Sequence, residues 1–358
     1  MAWVTKYRRR DGGTSYRVGW RDPEGKTHLK TFRKRAGADD HARKIEGDKL
    51  RNEYSDPSAG RITLADYFEV FMDTAVHLKP SSRALYRGVF ERHVRKALGG
   101  RPLASIARSD VKALLAPLPV STARSVHRLI RRVLSAAMED GRIGRNPASG
   151  LKLAPEVRRE PRFLSPEEIR RLAGEVPPRY RALIPLMAYA GLRVGEAAAL
   201  RVGDIDFLRG RVTVARNSVE VEGRLVEGTP KGGSVRTVRI PATVVEELSR
   251  HVGTFTDREP VSRVFTTESG AAIRQSRFRR HPFTPATKRA GLEGVRPHDL
   301  RHTAVALAVA AGYHPKAVQE LAGHASITMT LDRYGHLFDT LQDAGVERLD
   351  EMAREAQR

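Results

Sequence analysis

Apolar positions near the start of the chain alternate. Tyr16, Val18 and Trp20 are separated by polar or small residues, which is the period of a half-buried strand. Asp22-Pro23-Glu24-Gly25 supplies turn chemistry, and His28 to Phe32 reads as a further strand. From Ala38 to Leu50 the spacing becomes helical. Residues 1–56 are thus expected to form a three-stranded sheet plus a helix. Asp56-Pro57-Ser58-Ala59-Gly60 has the composition of a linker. Residues 61–150 then read as an all-α domain. Leu64, Tyr67, Phe68 and Phe71 share one helix face, and Thr63 is placed to cap it. Residues 81–98, 109–115 and 121–140 predict further helices. A second linker covers 147–161. Ser165-Pro166-Glu167-Glu168 combines a serine cap, a first-turn proline and a glutamate able to reach back. Residues 162–358 are expected to be mainly α, with a small antiparallel sheet in the strand-rich island at 206–240. The fold class is therefore α+β and multidomain.

Composition narrows what such a chain can do. Its 358 residues suit two or three domains. No run approaches the ~18 apolar residues of a membrane span. No apolar stretch follows the basic residues of the first ten positions, as a signal peptide requires. The absence of cysteine excludes disulfides, thiolate metal sites and cysteine nucleophiles. A cytoplasmic protein is expected. The net charge of +22 points to a polyanionic partner, because each Lys or Arg set on a phosphate releases condensed counterions. Charge alone does not separate DNA from RNA. Arg124, Arg128, Arg131 and Arg132 lie largely along one side of a predicted helix, either as a phosphate-tracking surface or as a solvated face. Arg236 is a further DNA-binding candidate.

Four segments carry candidate chemistry. In Ala190-Gly191-Leu192-Arg193-Val194-Gly195-Glu196 a glycine ends one helix, and an arginine and a glutamate open the next. In Thr229-Pro230-Lys231-Gly232-Gly233 a lysine sits in a Gly-rich turn between Val-rich strands, where it can reach a cleft as a proton donor. In Pro297-His298-Asp299-Leu300-Arg301-His302-Thr303 helical spacing sets His298 and Arg301 on one face. Two histidines there suggest a metal, but the spacing is wrong for His-Glu-x-x-His and an arginine repels a cation, so no metal is expected. The fourth segment holds Gly323-His324, then Tyr334 and His336. Each alone has an ordinary structural reading: an ion pair, a solvated lysine, a core tyrosine.

Together, and in this order, the four resemble the tyrosine recombinases, or phage-type integrases, over residues 164–337. That family carries Gly-Leu-Arg-x-x-Glu, a hairpin Lys, His-x-x-Arg-His, Gly-His and a later Tyr. Here these fall on Arg193 with Glu196, Lys231, His298 with Arg301 and His302, His324, and Tyr334. Ala322 departs from the Gly or Leu usual in the family at that turn. The helical region is similar to the family's core-binding domain, and the sheet-plus-helix region to the arm-binding domain of lambda-type integrases.

The resemblance implies DNA cleavage and rejoining without metal, ATP or other cofactor. Tyr334 would attack the scissile phosphate, form a 3′-phosphotyrosyl link and free a 5′-hydroxyl. Arg193 and Arg301 would clamp the non-bridging oxygens, with His324 adding a hydrogen bond. Lys231 would protonate the leaving oxygen, and His298 would take the tyrosine proton. Glu196 and Asp299 would orient the arginines, His302 would support them, and His336 is structural. The implied partners are double-stranded attachment sites, three further copies in a synaptic tetramer formed from monomers, a DNA-bending host factor and an excisionase. Leu341, Val346, Leu349, Met352 and Ala353 make the tail amphipathic; it either packs on its own domain or, as in the family, docks on a neighbouring protomer. The function implied is integration and excision of a phage or other mobile element. A chromosome-dimer resolvase, a transposon recombinase, a type IB topoisomerase and a non-enzymatic DNA-binding regulator are the alternatives.

Overall fold

The computed structural model describes residues 1–8, 11–22, 25–50, 59–155, 160–230, 233 and 235–356, with 339–345 and 347 described for their backbone alone. The chain divides into two compact units, Met1–Val157 and Arg158–Arg358. Both upstream regions expected from sequence fall in the first unit.

That unit begins with strands β1 (Trp3–Arg8), β2 (Thr14–Arg21) and β3 (Thr27–Phe32), antiparallel in that order, followed by helix α1 (Arg35–Leu50). Alternation along the central strand turns Val18 and Trp20 inward, where they are buried with Ala38 and Ile45 of α1. Pro23 and Glu24 of the expected turn lie outside the described residues. The bond that closes it, Gly25 N–H to Asp22 O, is 3.1 Å.

A separate core joins α2 (Leu64–Thr74), α3 (Pro80–Val89), α4 (Arg108–Leu115) and α5 (Val120–Glu139). Thr63 caps α2, its hydroxyl accepting from Asp66 N–H at 3.1 Å. The expected helix at 81–98 is α3 continued by a π-wound stretch, Phe90–Gly99. Phe90, Val94 and Leu98 recur every fourth position and are all buried, and Phe90 stacks on Phe68 at 3.9 Å. Burying each such side chain contributes roughly 1.5–3 kcal/mol.

The second unit opens with α6 (Pro166–Glu175), where the expected capping box forms. Ser165 Oγ accepts from Glu168 N–H at 3.2 Å, and Glu168 accepts from Ser165 N–H at 3.0 Å. Short helices α7 (Pro178–Arg181), α8 (Leu183–Ala190) and α9 (Val194–Ala198) lead into strands β4 (Ile205–Asp206), β5 (Arg211–Val214), β6 (Asn217–Val221), β7 (Arg224–Gly228) and β8 (Arg236–Arg239). These form two sheets, β4-β5-β8 and β6-β7. The strands flanking Lys231 therefore belong to different sheets, and the expected hairpin is a crossing between them. Lys231, Gly232 and Ser234 themselves lie outside the described residues.

Then follow α10 (Ala242–Phe255), α11 (Gln275–Phe278), α12 (Thr284–Arg289), α13 (Pro297–Ala310), α14 (Pro315–Ala322) and α15 (Ile327–Glu355). Helix α13 packs against α8, α14 and α15 and is buried almost all round, although its first turns are polar. Backbone and side-chain bonds answer several of those groups, while Asp299 Oδ1 accepts no hydrogen bond among the described residues. Asp299 accepts from Arg296 N–H at 2.8 Å, and Thr303 donates to Asp299 O at 2.9 Å while accepting from Leu164 N–H at 3.1 Å. Among the described residues no helix is long and apolar enough to cross a membrane.

Candidate active site

Helix α8 ends in the left-handed Gly191, and Arg193 opens α9 two residues later. Glu196, one turn on, accepts from the Arg193 backbone N–H at 3.0 Å and from its Nη1 at 2.6 Å. Strand β8 delivers a second guanidinium to the same carboxylate. Its alternation buries Val238, and Arg236 shares that inward side. Arg236 Nη1 and Nη2 lie 3.2 and 2.7 Å from the two Glu196 oxygens. Burial alone would raise Glu196, but the Arg236 bonds and charge, with Arg193, outweigh it and hold the carboxyl at about 2. Arg236, expected as a DNA-binding candidate, has a side chain only 10% exposed, with its fork on Glu196.

From α13, Arg301 reaches the carbonyls of Gly191 and Ala322, the ends of α8 and α14. Helix C-termini leave carbonyls without intrahelical partners, and a guanidinium fork answers two of them at once. The Ala322 departure does not bear on this bond, which its backbone carbonyl makes. Burial, then Arg193, lowers Arg301 to about 9, still charged at neutral pH.

Tyr334 lies within α15, with 1% of its surface exposed, and its hydroxyl meets His302 Nδ1. The sequence-based expectation paired the tyrosine with His298. In the structure His298 stands one turn away on α13, its ring edge-on to His302 at 4.6 Å. His324, presented by the left-handed Gly323 that ends α14, lies nearly parallel to the Tyr334 ring, with centroids 6.3 Å apart. Its Nδ1 is bonded to Thr330 Oγ1 at 2.9 Å. Burial first, then the surrounding positive charges of Arg301 and Arg333, push His298 and His324 down to about 4. Burial, then His298 and Arg333, push His302 to about 3. The three rings are therefore neutral at neutral pH. Burial raises Tyr334, opposed by Arg333 and Arg301.

The structure thus brings Arg193, His298, Arg301, His302, His324 and Tyr334 together around Glu196 and Arg236. Asp299 stands apart from the clamp: its partners are the Arg296 backbone, at 2.8 Å, and the Arg296 side chain, at 3.5 Å. His336 is exposed. Sequence reasoning missed His302 as the tyrosine's partner, Arg236 as Glu196's, Thr330 as His324's, and Arg333 as a source of field. Among the described residues no three His, Asp or Glu side chains gather to hold a metal ion.

In the other unit, Arg124, His127, Arg128, Arg131 and Arg132 line one groove along α5. Among the described residues no carboxylate pairs with any of the four arginines. Arg124 donates to Ala154 O at 2.8 Å, and Arg132 reaches His77 at 2.6 Å and Tyr86 Oη at 3.2 Å.

Residues 162–340 match the model of the phage integrase family, and residues 65–154 match the phage integrase central domain. The chain belongs to the phage integrase family. Its members are tyrosine recombinases, and its activity is site-specific recombination of DNA. A XerC-like tyrosine recombinase of Caldanaerobacter subterraneus is 26% identical, covering 98% of this chain and 100% of that one. The integrase of Mycobacterium phage D29 is 28% identical, covering 83% and 79%. Among solved structures, the Tn1549 transposon integrase in complex with transposon right end DNA superposes with TM-score 0.70 at 20% identity, over 81% of this chain and 100% of that one. A lambda integrase tetramer bound to a Holliday junction gives 0.57 at 20%, over 90% and 96%. These likenesses place this family member in the integrase fold.

Proposed function

We propose that the chain integrates and excises a phage or other mobile element, cutting and rejoining its attachment sites through Tyr334. The observation that carries this is the gathering of two arginines and three histidines about one buried tyrosine. Tyr334 Oη would bond to the scissile phosphorus as the P–O5′ bond breaks. Its proton would pass to His302 Nδ1, the ring nitrogen its hydroxyl already faces, rather than to His298. The leaving 5′-oxygen would take a proton from Lys231. The phosphotyrosyl link keeps the bond energy, so attack by a new 5′-hydroxyl reverses each step and returns the proton to Tyr334. Arg193 and Arg301 would meet the charge that grows on the non-bridging oxygens, a task for which other enzymes use metals. The arginines of α5, which no carboxylate among the described residues pairs, would follow the phosphate backbone. Four copies would assemble on DNA, as the lambda integrase tetramer does on a Holliday junction, with a bending factor and an excisionase as further partners.

The test is a nicked suicide substrate made from the element's junction DNA, with EDTA present, resolved on a denaturing gel. Wild type is expected to form a covalent adduct, and Tyr334→Phe none, while both bind the site equally. An adduct with Tyr334→Phe would remove Tyr334 as nucleophile. An adduct lost on adding EDTA would overturn the metal-free reading.

A further inference from the structure

Arg236 touches two parts of the site at once. One edge of its guanidinium takes both oxygens of Glu196, at 3.2 and 2.7 Å. Its bulk lies against the turn that presents His324: a β-carbon on Gly323 would come within 3.0 Å of Nη1 and 3.1 Å of Cζ and Nε. Glu196 is wholly buried and Arg236 nearly so, so solvent does not blur this geometry. A carboxylate facing a single arginine favours a two-pronged fork. Here Arg236 holds Oε2 and shares Oε1, which leaves the Arg193 side chain a single bond, Nη1 to Oε1 at 2.6 Å. Among the described residues the rest of the Arg193 fork has no protein acceptor, and that side chain is 25% exposed.

We infer that Arg236 is a positioning residue for strand cleavage. By occupying Glu196 it restricts that carboxylate to one side-chain bond with Arg193, leaving the remaining donors of Arg193 for the scissile phosphate. By lying under Gly323 it fixes the approach of His324. Arg236 acts through its neighbours and does not touch DNA. The inference rests on the proposed cleavage reaction.

The experiment compares wild type, Arg236→Met, Arg236→Lys, Glu196→Gln and the Arg236→Met/Glu196→Gln double variant. Single-turnover adduct formation on the suicide substrate, site affinity by gel shift and thermal melting are measured for each. Arg236→Met is expected to slow cleavage roughly a hundredfold, the scale of an ångström misplacement, with site affinity nearly unchanged. Arg236→Lys, which can still give Glu196 one charged bond, is expected to recover part of the rate. In the Glu196→Gln background the cost of Arg236→Met should shrink several-fold, because the residue it acts through is gone. Wild-type cleavage in both Arg236 variants overturns the inference. So does a loss of affinity equal to the loss of rate, which makes Arg236 a DNA contact, and so does full additivity with Glu196→Gln. If Arg236→Met does not fold, Arg236→Lys decides alone: slowed cleavage with intact affinity supports the role, and normal cleavage ends it. Wild type that binds its site and forms no adduct sinks the cleavage reading, and this inference with it.

Discussion

A methyl group on Gly323 would press on the Arg236 guanidinium from a backbone conformation, φ +57°, that side chains disfavour. Gly323→Ala therefore meets two penalties, about 1–2 kcal/mol for the left-handed backbone and the contact besides. The variant is expected to melt earlier and to cleave more slowly, since His324 moves with the turn. Adduct kinetics and a melting curve check it; a variant matching wild type in both would show that the turn has room to give. At this scale the chemistry-bearing residues were legible because they come as motifs with fixed spacing, from Arg193 to Tyr334. Their partners were not, because partnership across the core leaves no local trace. His302 follows Arg301 directly, yet its relation to Tyr334 depends on how α13 meets α15. Arg236 did leave a hint. It alternates with Val238 and Ile240, the inward side of β8, and a basic residue in that register belongs inside rather than on a phosphate.

Among elements, α15 runs without a break from Ile327 to Glu355, carrying Tyr334 at one end. Further along, Val346, Leu349 and Met352 are 61%, 66% and 61% exposed, so among the described residues nothing covers this part of the amphipathic tail. Leu349→Glu with Met352→Glu should slow strand exchange while leaving melting temperature and site binding unchanged. Exchange at the wild-type rate would mean these side chains meet no second copy. The starts of capped helices such as α2 and α6 were legible to the residue, since a cap is a local event. The π-wound continuation of α3 was not, because apolar residues every fourth position suit either winding. Nor was the split of the strand island into two sheets, because strand pairing is settled by distant partners.

The whole molecule should be sensitive to acid. His298, His302 and His324 sit near 4, 3 and 4 when folded, against an ordinary value of 6.5. Below pH 6.5 the unfolded chain binds protons that the folded one refuses, so stability is full above that value and falls as pH drops towards 3–4. Glu196, held near 2 instead of 4.5, adds a further loss below 4.5. Melting temperature is expected to be level from pH 8 to 7 and then to decline steadily below about 6.5. A level profile down to pH 5 would mean the rings are solvated. The net charge of +22 signalled a polyanion from the outset, but only the motifs pointed to DNA recombination and to the reaction.

Helix α13 ties Arg301 to the ends of α8 and α14 and His302 to Tyr334 of α15, so the candidate groups are also the mortar of the fold. Such a site has little freedom to drift: a change that loosens the chemistry loosens the protein, and selection sees both together. The outward arginines of α5 carry no such double duty. Losing one of them should weaken binding to every DNA sequence alike and leave the fold standing.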